Sequence, residues 1–167
     1  MLQACLVAGL LFFSSVQSKR RTVIITGGNR GIGLSAVKQL AATNEWTVVM
    51  ASRDLQRAKA ALSSIPKQEG QGNVEIEELD LADLESVADF CSRWKQQGRK
   101  IDVLACNAGV QHSGSKDTPI RTKDGFEDTV GTNHIGHFLL TSLLMTSITD
   151  DGRIVFVGSG TILVHLF

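Results

Sequence analysis

The sequence has 167 residues, enough for one domain with a real core but short for a complete α/β enzyme. Seventeen basic and seventeen acidic residues cancel, which argues against a nucleic-acid surface and points to a small partner. Cys5, Cys91 and Cys106 form no C-x-x-C pair and are odd in number, so neither a disulfide framework nor a zinc site is expected.

Residues 4–13 are apolar, followed by Ser-Ser-Val-Gln-Ser and then Lys19-Arg20-Arg21. Such a segment is too short to span a bilayer but matches the hydrophobic region of a signal peptide. It lacks a basic stretch before it, so two readings stand: a secretory-type leader, or a segment that lies against a membrane or precedes an organelle transit signal. Residues 1–19 are therefore set apart as a leader and residues 20–167 are expected to form the fold. A real leader would mean membrane association through the N-terminus and an endoplasmic-reticulum or plastid address; otherwise the chain is cytoplasmic.

The rest is organised around Thr22-Val-Ile-Ile-Thr-Gly-Gly-Asn-Arg-Gly-Ile-Gly33. Val23, Ile24 and Ile25 show no polar alternation, as in a strand buried on both faces of a parallel sheet. Gly27, Gly31 and Gly33 let the backbone turn tightly and approach a ligand. A helix over about 32–42 would aim its N-terminal amides at that turn, where a pyrophosphate can sit. A second strand, 46–51, ends in Ser52-Arg53-Asp54. An acidic residue at this strand end accepts the ribose hydroxyls of NAD, whereas arginine holds the 2′-phosphate of NADP. Arg53, with Arg30 in the turn, favours NADP over NAD.

Residues 55–65 read as a helix stopped at Pro66, and 74–79 as a third strand with one wetter face. Asp80 at its end can accept from an adenine amino group or cap the next helix, 84–97. Apolar spacing on that helix makes Cys91 a core thiol. The fourth strand, 101–105, runs into Cys106-Asn-Ala-Gly109, small residues that admit a flat ring. The polar stretch 110–125 is a loop suited to an active-site rim. Residues 126–146 read as one long, largely buried helix. His134 and His137 are three apart on it without a third ligand, so packing is expected rather than metal; His112 and His165 receive no role. Asp151-Gly152 forms a turn, and 153–157 a fifth buried strand ending near Ser159, on the rim where α/β sheets bind ligands. The fold class is α/β, a Rossmann-type doubly wound parallel sheet of about five strands.

Taken together, residues 22–161 resemble the amino-terminal part of a short-chain dehydrogenase/reductase. The matching motifs are Thr26-Gly-Gly-Asn-Arg-Gly-Ile-Gly33, Asp80-Leu81, Asn107-Ala-Gly109, Asn133 within Thr-Asn-His-Ile-Gly-His-Phe-Leu-Leu140, and Ser159. The wording is similar to the branch holding retinol dehydrogenases and protochlorophyllide reductases. The resemblance implies a cofactor site of Gly27, Asn29, Arg30, Gly31, Ile32, Gly33, Arg53, Asp80, Leu81, Asn107, Ala108 and Gly109. It also implies that Asn133 supports a proton-relay water and that Ser159 hydrogen-bonds the substrate carbonyl. The implied activity is an NADP(H)-dependent oxidoreductase acting on a carbonyl, alcohol or conjugated double bond of an apolar small molecule, often as a homo-oligomer.

One departure is sharp. The family's acid/base is a Tyr-x-x-x-Lys pair about a dozen residues beyond the serine, and this sequence contains no tyrosine. Positioned acid–base groups supply about 10²- to 10⁴-fold in rate, so activity as written is expected to be impaired. The segment 162–167 matches nothing expected after the serine, and a truncated or misread copy explains both features. The alternatives are a non-catalytic dinucleotide-binding module, a non-functional gene fragment, or a chain that folds only within a complex.

Overall fold

The computed structural model describes residues 20–112 and 119–158. Five parallel strands form one sheet in the order β3-β2-β1-β4-β5. They are β1 (Arg21–Thr26), β2 (Trp46–Ser52), β3 (Val74–Glu78), β4 (Ile101–Cys106) and β5 (Ile148–Phe156). Between them run α1 (Gly31–Ala42), α2 (Leu55–Ser63) and α3 (Leu84–Gln96). A last helical run comprises α4 (Asp128–Val130), a π-turn (Gly131–Ile135) and α5 (Gly136–Leu144).

The unbroken apolar run of β1 has the expected cause. Successive side chains on a strand point to opposite faces, and both faces are covered. Val23 and Ile25 pack with Val37 and Ala41 of α1 and Ala58 of α2. Ile24 packs on the other face with Phe90 and Trp94 of α3 and Leu140 and Leu144 of α5. This is a doubly wound α/β sheet, and its strand order reverses direction between β1 and β4, opening a crevice at their carboxyl ends. Asp54 and Asp83 start α2 and α3 by accepting from backbone amides, so the caps fall where acidic residues follow strand ends.

Three expectations need correction. The long helix is not one uniform, buried element. It contains a π-turn, and Val130, Phe138 and Met145 are 52%, 65% and 56% exposed, because only one stripe of the run meets α3 and the sheet. Strand β5 starts earlier than expected: Ile148 pairs with Ile101 and Arg153 with Val103, so the Asp151-Gly152 turn is absorbed as a bulge inside the strand. Nor is β5 buried among the described residues, since Val155 and Phe156 are 44% and 64% exposed on the sheet edge.

Gly136 shows what places the last helix. A Cβ there would lie 2.3 Å from the backbone oxygen of Leu81, so only glycine lets the helix run against the end of the β3–α3 connection. Gly136→Ala should cost about 1–3 kcal/mol, the usual penalty of overpacking, read as a lower midpoint in a urea melt.

Candidate functional site

The crevice at the β1/β4 switch is a cleft of about 420 Å³. Its floor is the turn between β1 and α1. Gly27 has φ of +66°, a left-handed conformation that glycine adopts without strain, and a Cβ on it would press on Ala108 Cα at 3.0 Å. At Gly33 a Cβ would meet Asn107 Nδ2 at 2.5 Å and Gly27 O at 2.6 Å. Both glycines thus allow the start of α1, the turn and the end of β4 to close on one another. The first turn of α1 has no acidic residue, and no side chain caps its amides. A helix start left open in a cleft favours an anion.

Strand end β4 is tied to β1 by one hydroxyl. Thr26 Oγ1 accepts from the amides of Asn107 and Ala108, both at 2.9 Å, and Asn107 Nδ2 donates to Thr26 O at 2.9 Å. Ala108 and Gly109 then form a wall without bulk. Behind it, Asn133 clamps the next residue from two sides: its Oδ1 accepts from Val110 N at 2.8 Å and its Nδ2 donates to Val110 O at 2.9 Å.

Of the sequence-predicted residues, Gly27, Asn29, Arg30, Gly31, Ile32, Gly33, Arg53, Leu81, Asn107, Ala108 and Gly109 all line this cleft. Asp80 does not. Its Oδ1 accepts from Ala82 N at 3.0 Å, a turn within the connection rather than the cap of α3, which Asp83 supplies, and it lines an adjoining hollow with Arg53, Glu78, Asp83, Glu85 and Arg93. Asn133 stands behind the wall rather than in the cleft, with its amide engaged by Val110. Ser159, the segment 1–19 expected as a leader, and Cys5 within it lie outside the described residues.

The charged side chains of the cleft are all basic. Arg30 and Arg53 line it together with Arg57, and neither Arg30 nor Arg53 forms an ion pair among the described residues. Arg57 was not anticipated; its signal was its position, one helical turn beyond Arg53 on α2. It shares Asp54 at 3.4 Å across an exposed contact. His112, given no role from the sequence, pairs with Asp128 at 2.6 Å.

The two histidines of the last helix part company. His134 is exposed, while His137 is 2% exposed; its Nε2 lies 2.9 Å from Thr26 Oγ1 and its Nδ1 lies 3.0 Å from Asn133 O. Burial lowers its pKa below the ordinary imidazole value, which keeps it neutral. Burial likewise pushes Cys91 up to about 11 and Cys106 up to about 12, so both remain inert thiols. No cluster suited to a metal ion occurs among the described residues.

A parallel sheet of this order, with a glycine turn, an open helix start and arginines at its switch point, defines a dinucleotide-binding α/β protein. The family model described as short chain dehydrogenase matches residues 21–167, and the chain belongs to that family. It is 46% identical over 147 residues to a chloroplastic protochlorophyllide reductase of Chlamydomonas reinhardtii, covering 86% of this chain and 36% of the relative. A chloroplastic protochlorophyllide reductase of Cucumis sativus is 43% identical over 149 residues, again covering 86% and 36%. The chain thus spans little more than a third of these curated relatives. Among solved structures, an uncharacterised protein from Mycobacterium paratuberculosis superposes with a TM-score of 0.70 at 42% identity, over 84% of this chain and 47% of that one. Menthone neomenthol reductase from Mentha piperita superposes with a TM-score of 0.68 at 28% identity, over 86% and 62%.

Proposed function

We propose that the cleft binds NADP(H), in preference to NAD(H), as the cofactor half of a short-chain reductase. The observation that carries this reading is the uncapped start of α1 opening on the same cleft as Arg30, Arg53 and Arg57. The α1 amides and the Gly27 turn would hold the pyrophosphate, and the guanidinium groups the 2′-phosphate through charge-assisted hydrogen bonds. The small residues Ala108 and Gly109 leave room for a flat ring over the β4 end. When bound, the cofactor supplies the hydride.

The reaction proposed is reduction of a carbonyl or a conjugated double bond of an apolar small molecule, or the reverse oxidation of an alcohol. Similarity to protochlorophyllide reductases supports the double-bond option. Ser159 would hydrogen-bond the substrate oxygen. Asn133, held in place by its two bonds to Val110, would support a relay water through its helix. Residues 1–19 are proposed as a leader, and the chloroplastic relatives support a plastid address; no helix of the described residues is long and apolar enough to cross a membrane. Association into homo-oligomers is proposed on family grounds.

A second reading is a dinucleotide-binding module without catalysis, favoured because, among the described residues, the titratable side chains lining the cleft are arginines alone. Titration of the full chain with NADPH and NADH, followed by cofactor fluorescence, tests the common part: saturable binding at least tenfold tighter for NADPH is expected, and equal or absent binding overturns it. Steady NADPH oxidation in the presence of carbonyl and enone compounds would then separate the enzyme from the module.

A further inference from the structure

The buried histidine of the last helix has a single arrangement of protons that satisfies all its neighbours. A hydroxyl has one proton to donate and two acceptor positions. Both acceptor positions of Thr26 Oγ1 are taken by the amides of Asn107 and Ala108 at 2.9 Å, so its proton must leave toward an acceptor. His137 Nε2 stands at 2.9 Å; the alternative, Ala105 O, is at 3.4 Å, and turning to it would swing the lone pairs away from the two amides. Nε2 is therefore unprotonated and accepts. The imidazole is neutral, so its proton resides on Nδ1, which donates to Asn133 O at 3.0 Å. The tautomer is thus imposed from both sides, and it is the opposite of the one that free imidazole side chains favour.

Resting on the cofactor reading above, we propose that His137 is a positioning residue. As a neutral Nδ1–H imidazole it fixes the direction of the Thr26 hydroxyl, and so couples the β1 and β4 strand ends under the cleft to Asn133 in the π-turn. The π-turn belongs to the same device. Its wider spacing, with the Gly136 amide reaching back to Gly131 O, lets the Asn133 carbonyl meet a side-chain donor while the Asn133 amide reaches over to Val110. One hydrogen-bonded line therefore runs from Ala108 on the cleft wall through Thr26 and His137 to Asn133, and returns through Val110 to the same wall.

Two substitutions cut this line at different ends. His137→Gln places an amide oxygen near the position of Nε2 and still accepts from Thr26, whereas His137→Asn places an amide nitrogen near Nδ1 and serves only Asn133. In the full chain, hydrogen exchange at the Ala108 amide should be about tenfold faster in His137→Asn than in His137→Gln. NADPH binding should stay within about threefold of wild type in His137→Gln and weaken about tenfold in His137→Asn. A purely space-filling histidine predicts no such ordering, and equal effects of the two variants overturn the proposal. Nitrogen-15 NMR of the wild-type chain supplies an arm that no folding defect can disable: the Nδ1–H pattern is expected for His137, and the Nε2–H pattern overturns the assignment. If wild-type chain binds no NADPH, the cofactor reading fails, and the exchange rates with the tautomer still decide the role of His137.

Discussion

Arg53→Ala should weaken NADPH binding by about 10- to 50-fold while leaving NADH binding within about twofold. The estimate takes the lower half of the usual range for one hydrogen bond to a charged group, about 1.5–3 kcal/mol, because the Arg53 side chain is exposed. Only the 2′-phosphate distinguishes the two cofactors, so the loss should be selective. Arg57→Ala should act in the same direction but by only about threefold, because its side chain is 57% exposed and its guanidinium already shares Asp54. Both effects should shrink as salt is raised, since exposed charges are screened over about 10 Å at 0.1 M. Parallel fluorescence titrations with the two cofactors check this; equal losses for NADPH and NADH would place Arg53 away from the phosphate.

Gly33→Ala is expected to be more damaging, because it affects fold and site together. The added methyl would sit 2.5 Å from Asn107 Nδ2 and 2.6 Å from Gly27 O. The second of these is backbone and cannot rotate away. Either α1 shifts outward or Asn107 gives up its bond to Thr26 O, and either change opens the turn that is proposed to hold the pyrophosphate. A cost near the upper end of overpacking, about 3 kcal/mol, should lower the melting temperature by roughly 6–12 °C for a domain of this size. NADPH binding should fall at least 100-fold. A variant that melts normally and binds normally would show that the turn is looser than its geometry indicates.

Much of this was legible in the sequence because it depends on local chemistry. Val23, Ile24 and Ile25 can be buried together only in a strand covered on both sides, and the glycines that follow mark a turn that nothing larger fits. The helix starts were legible but not their caps: Asp54 and Asp83 cap α2 and α3, whereas the cap of the second was sought at Asp80. What failed in the reading failed for tertiary reasons. The apolar run around Phe138 was taken as buried, yet hydrophobicity does not say which stripe of a helix meets a partner. Asp80 was weighed as an adenine partner or as the cap of the next helix; the cap role goes to Asp83, while one oxygen of Asp80 accepts from Ala82 N because the chain bends there at once. Arg57 went unremarked because its place on the cleft depends on how α2 leaves β2.

His137 illustrates the division best. The sequence could say only that a histidine on a helix is more often packed than metal-bound. Its meeting with Thr26, 111 positions away in the chain, exists because β1 and β4 are neighbours and the last helix crosses their ends, a contact made possible by Gly136 against Leu81. The sequence by itself determined the order of strands and helices, the glycine turn and the family motifs, since each is set by residues close together in the chain. Only the tertiary structure decided which groups share the cleft, which tautomer His137 adopts and which apolar side chains stay in water, because each depends on residues that folding brings together from distant positions.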